Sequence, residues 1–162
     1  MEKEELRTIY QRTERLTVLV LLLALPAFGA VYLYQQSGSF SQTLPVLPAW
    51  AQYLLLGAGV LFLVLQYLLF HQKIKQSFQQ ELLLEKVGLY ASATRQRFLV
   101  LFLVSLISTA GLYLSGSPGF VFLFTLALVF FSLGKPSPDR MVRLMKLKKE
   151  DRELLTEISR PA

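Results

Sequence analysis

The positions of Asp, Glu, Lys and Arg constrain this chain more than any motif in it. None of the four occurs between Leu16 and His71, and none between Phe98 and Gly134. The 17 basic and 11 acidic residues are confined to three blocks, at 1–15, 71–97 and 135–162. A helix on the surface of a soluble protein needs a polar face, whereas a helix crossing a hydrocarbon layer roughly 30 Å thick needs about 20 apolar residues with few or no charges. With 53% hydrophobic residues in 162, the chain reads as a small polytopic membrane protein. The expected fold is all-α: four transmembrane helices near 16–34, 50–70, 98–114 and 118–133, with cytoplasmic amphipathic helical extensions. Residues 1–134 then form a four-span domain that includes a helical connection at 71–97, and 135–162 form a basic helical tail.

The same blocks predict the orientation. Lys and Arg number four in 1–15, five in 71–97 and eight in 135–162, while the connections 35–49 and 115–117 have none. Basic residues near spans are retained on the cytoplasmic side. Four spans place all three blocks on that side, with both termini in the cytoplasm. Short spans and compact loops suit a bacterial inner membrane. Tyr32, Tyr34, Trp50, Tyr53 and Tyr113 fall near the outer ends, and Tyr67, Phe70 and Phe98 near the inner ones, as expected of rings that prefer the membrane interface. Arg12 and Arg15 precede an apolar run containing Ala27 and Gly29, as in a cleavable signal peptide. Four acids in the leading segment and the length of the run favour an uncleaved first span.

Local signals refine this picture. Pro26 lies inside the first span, where it removes a backbone donor and kinks a helix. Pro45 and Pro48 oppose regular structure in the outer loop, and the "SGSP" at 115–118 marks a tight turn between the last two spans. The inner connection has few helix breakers before Gly88, and Ile74, Phe78 and Leu82 recur every four residues, which predicts a helix continuing past the membrane and packing within the protein. In the tail, Ser137, Pro138 and Asp139 make a helix start, and a bend near Lys148 separates two short helices.

Chemistry-bearing groups are sparse. Cysteine is absent, which excludes disulfides, thiol nucleophiles and thiolate metal sites, and asparagine is absent, which excludes glycosylation sequons. No carboxylate lies within a span, where an ion-coupled carrier would place one. His71 is the sole histidine; at the inner end of the second span, without cysteine or a nearby acid, it reads as an interfacial residue rather than a metal or haem ligand. No catalytic residue, metal ligand or cofactor is therefore assigned, and the chain is not read as an enzyme. Ser105, Ser108, Thr109 and Gly111 form a small-residue, hydroxyl-bearing face suited to close helix packing. Lys146, Lys148 and Lys149 are candidates for contact with anionic lipid headgroups. Nucleic acid is not an expected partner, because the tail has no aromatic residue to stack a base and has five acids that oppose phosphate.

Two functions follow as expectations. The leading one is a non-catalytic accessory, assembly or scaffold subunit that presents cytoplasmic helices to a membrane-protein partner. The alternative is a homo-oligomeric small-solute transporter or channel component, formed by self-association, with a path along the hydroxyl face.

Overall fold

The computed structural model describes residues 2–38 and 47–159; of the two loop prolines, Pro45 lies outside them. Among the described residues every regular element is a helix: α1 (Glu2–Gln36), α2 (Ala49–Ser77), α3 (Leu83–Ser115), α4 (Pro118–Gly134), α5 (Pro138–Met145) and α6 (Lys149–Ser159). The first three are long and apolar enough to cross a membrane. A fourth crossing follows if α4 is counted with α5, into which it turns through 83°. The chain is an all-helical protein of membrane-spanning character.

α3 is the axis of the molecule, since α1, α2 and α4 each pack against it far more than against one another. Its apolar residues occur all round rather than on one face: one side packs on the other helices, while Leu99, Leu103 and Leu106 are exposed, as on a helix whose free side meets hydrocarbon. Phe98, Leu101 and Val104 are fully buried within a first core with Val20, Ala24, Phe28, Leu63, Phe120 and Phe131. Contact is closest where side chains are missing. A Cβ at Gly111 would overlap the Phe120 ring, and one at Gly59 would overlap Leu123. These two glycines bring α3 and α2, respectively, against α4. The α3–α4 turn depends on Gly116, whose left-handed backbone (φ 65°) ends α3, and Pro118 then occupies the first turn of α4.

A second core caps one end of the bundle. Leu6 and Tyr10 from α1, Phe70 and Ile74 from α2, Val87, Tyr90 and Ala93 from α3, Met141 and Met145 from α5, and Leu155 and Ile158 from α6 are all buried together. α5 starts where Ser137 accepts a hydrogen bond from the Arg140 amide at 3.4 Å. It stops at Lys146, which takes the left-handed conformation (φ 49°). The bend at 146–148 lets both short helices turn their apolar faces inward.

Several local expectations change. α2 ends at Ser77 and α3 begins at Leu83, so the break precedes Gly88, which lies inside α3. Burial of Val87, Tyr90 and Ala91 holds that turn helical despite the glycine. Of the predicted stripe only Ile74 is buried; Phe78 and Leu82 are exposed at the turn. Phe70 and Phe98 are core residues rather than interfacial rings, whereas Trp50 and Tyr53 at the opposite end are 70% and 74% exposed. α1 is assigned as one helix through Pro26.

Candidate functional site at the cap end of the bundle

Where the two cores meet, α3 presents Tyr90, Thr94 and Arg97 on one face at helical spacing, with Tyr90 and Arg97 against Phe70 of α2; Gln66 lies one turn before Phe70 on the same helix. Gln66 is 1% exposed, Tyr90 2%, Thr94 1% and Arg97 5%. The five buried side-chain atoms without a hydrogen-bond partner among the described residues are Gln66 Nε2 and Oε1, Tyr90 Oη, Thr94 Oγ1 and Arg97 Nε. Leaving a polar group in that condition costs about 1–3 kcal/mol each, so such a concentration is unusual for a purely structural core.

Arg97 is the centre of this cluster. Its Nη2 donates to the Phe130 carbonyl at 3.3 Å, in the last turn of α4, and its guanidinium lies 5.0 Å from the centroid of Phe70 and 6.0 Å from that of Phe130. A cation placed there meets the negative end of the α4 dipole and the faces of two rings. No carboxylate forms an ion pair with it: the one pair among the described residues joins Lys3 to Glu157 at 3.1 Å, on the surface. The like charge of Arg140 acts on it as well. Burial pushes the Tyr90 phenol above its usual value, opposed by the Arg140 charge, the Thr94 hydroxyl and the Arg97 charge. Burial also raises Tyr10, reinforced by Glu14 and Tyr90. Both phenols are therefore neutral at physiological pH. The arrangement sets one buried positive charge among amide and hydroxyl dipoles at the junction of the two cores.

No known protein family, curated protein or solved structure matches this chain.

The sequence-predicted residues fall in two places. Ser105, Ser108 and Gly111 are buried and Thr109 is half-buried, on α3 within the bundle. Ser105 donates to Leu101 O and Ser108 to Val104 O, both at 2.9 Å, and Thr109 donates to Ser105 O at 2.8 Å. All three hydroxyls are spent on their own helix. Lys146, Lys148 and Lys149 are exposed at the α5–α6 bend, with Lys146 Nζ 5.9 Å from the Phe78 ring. Phe78 is two turns beyond Phe70, about 12 Å along the α2 axis at 1.5 Å per residue. These lysines sit far down the cap, and Lys135 at the end of α4 is closer to the apolar bundle. His71 is exposed and packs on Tyr67 at 4.5 Å between ring centroids. Arg97, Tyr90 and Thr94 were not singled out by sequence. The one available signal was Arg97 as the last charge before a long apolar run, which reads equally well as a topology marker.

Proposed function

We infer that this protein is a non-catalytic integral membrane subunit, with four spans and both termini in the cytoplasm of a bacterial inner membrane, that supports the assembly of a partner. The cap carries this reading. Segments from both chain ends, the end of α2 and the start of α3 fold into one core directly against the bundle, on the side where all three charged blocks lie. Leu155 and Ile158 of α6 are used internally, so α6 offers a partner its charged exterior, Lys149, Arg152 and Glu153, beside the Lys3–Glu157 pair. The spans carry no carboxylate, thiol or histidine to run a reaction.

The test is cross-linking in native membranes with mass spectrometry, comparing the natural chain with the double variant Arg152→Glu, Glu153→Lys, which leaves the Lys3–Glu157 pair intact. Deleting the tail is unsuitable, because Met141, Met145, Leu155 and Ile158 belong to the core. A reproducible partner lost in the variant supports the subunit reading. Capture of no protein other than further copies of this chain would overturn it. One observation favours a homo-oligomeric transporter or channel component as the second reading: the partnerless polar atoms of Gln66, Thr94 and Arg97 could serve a solute. Solute flux in liposomes that is lost in Gln66→Leu, with self-association, would place that reading first.

A further inference from the structure

α1 and α4 both pack on α3 but barely touch each other. The gap between them is closed at one level, where the rings of Phe28 and Phe124 stack with centroids 3.8 Å apart and planes 2° from parallel. Toward the cap it widens into a groove of about 500 Å³. Leu21, Leu22 and Leu25 form one wall, Leu128 and Phe131 the other, and Phe98 of α3 the floor. Polar lining is confined to Thr17, Ser132 and Lys135, all at the cap end. Thr17 already donates to the Thr13 carbonyl at 2.9 Å, and no carboxylate lines the groove, so Lys135 sets the charge of its mouth.

The dimensions are those of part of one lipid. From Thr17 to Leu25 the wall rises about 12 Å at 1.5 Å per residue. Half of a hydrocarbon layer roughly 30 Å thick is about 15 Å. An apolar slot spanning most of the inner leaflet, with a lysine at headgroup level, complements an acyl chain beneath a negatively charged headgroup. A second copy of the chain is a poorer occupant. A two-fold contact through this groove brings Lys135 toward the partner's Lys135, which adds like-charge repulsion.

We propose that the α1–α4 groove binds one anionic phospholipid, with an acyl chain along Leu21–Leu25 and Leu128–Phe131 and the headgroup paired with Lys135. This rests on the membrane placement inferred above but needs no protein partner, so it stands or fails separately from the subunit reading. The test uses the full chain in dodecylmaltoside, with dioleoylphosphatidylglycerol and dioleoylphosphatidylcholine as probes and lipid retention read by native mass spectrometry. Tighter binding of the anionic lipid is expected, by about fivefold, the factor that about 1 kcal/mol for one basic residue near headgroups represents at 1.4 kcal/mol per decade. Lys135→Gln, an exposed position, should abolish the preference for the anionic lipid. Leu25→Trp, which fills the slot, should weaken both lipids. Equal binding of the two lipids by the natural chain overturns the proposal, as does a preference that survives Lys135→Gln. Competition by glycerol 1-phosphate as strong as by the intact lipid overturns the acyl-chain part. The chain has no native cysteine, so Leu22→Cys gives a clean last check. Efficient disulfide-linked dimers in membranes would assign the groove to a second copy instead.

Discussion

Replacing Arg97 tests how the three long helices and α4 are held at the cap end. The guanidinium contributes through three contacts: a hydrogen bond to Phe130 O at 3.3 Å, the C-terminal end of the α4 dipole, and the Phe70 ring at 5.0 Å. A charged hydrogen bond is worth about 1.5 kcal/mol at this long distance, the dipole about 1 and a desolvated cation–π contact about 1–2. Against these stands the desolvation of a buried ion, several kcal/mol, so the charge by itself is close to neutral in net stability. The side-chain body is different. Arg97 fills the space beside Gly134 and Phe70, and truncation leaves a cavity there. Arg97→Ala should therefore cost about 2–4 kcal/mol, whereas Arg97→Met, which keeps the volume, should lie within about 1 kcal/mol of the natural chain. Thermal unfolding in dodecylmaltoside, followed by size-exclusion fluorescence, reads this as a drop of roughly 5–15 °C for Ala and a few degrees at most for Met. An alanine variant as stable as the natural protein would refute the packing role. A methionine variant as damaged as alanine would show that the charge, and not the volume, holds the junction.

Three further outcomes follow from the same coordinates. Tyr90→Phe removes a hydroxyl that lies beside that of Thr94 and should change stability by under about 1 kcal/mol at pH 7. Because burial raises the folded-state phenol above its unfolded value of 10.0, the natural chain binds more protons folded than unfolded at alkaline pH. Its contribution is complete below that value and is lost as pH rises through the folded one, so melts above pH 10 should fall less steeply in Tyr90→Phe. Gly111→Ala drives a methyl into the Phe120 ring and should cost about 1–3 kcal/mol through overpacking, while Gly88→Ala, with nothing within 4 Å, should be neutral or stabilising in the same melt. For orientation, single cysteines at Ser117 and Lys148 in the cysteine-free chain should differ toward an impermeant maleimide applied to intact spheroplasts. Ser117→Cys should be labelled directly and Lys148→Cys only after lysis, and the reverse pattern would invert the inferred topology.

The sequence by itself determined the class of this protein. Confinement of charge to three blocks predicts an all-helical membrane-spanning chain, since hydrocarbon excludes both charge and unpaired backbone. The tail was legible for an equally local reason: Ser137, Pro138 and Asp139 satisfy the needs of a helix start without help from the rest of the molecule. The break between α2 and α3 was not, because Gly88 is a weak helix former only until Val87, Tyr90 and Ala91 are buried. Arg97 lies at the limit of what a linear pattern can give. As a letter it is one more basic residue flanking a span. In the fold it is 5% exposed, because it lies on the side of α3 that faces α2 and the end of α4, whereas Arg95, two residues earlier, is exposed. The same packing makes Phe70 and Phe98 core residues rather than interfacial ones, and leaves α1 and α4 apart, with a groove ending at Lys135. Which residues are apolar is a property of the chain, but which of them meet depends on which helix is central, and that is decided only when all the long-range contacts form together.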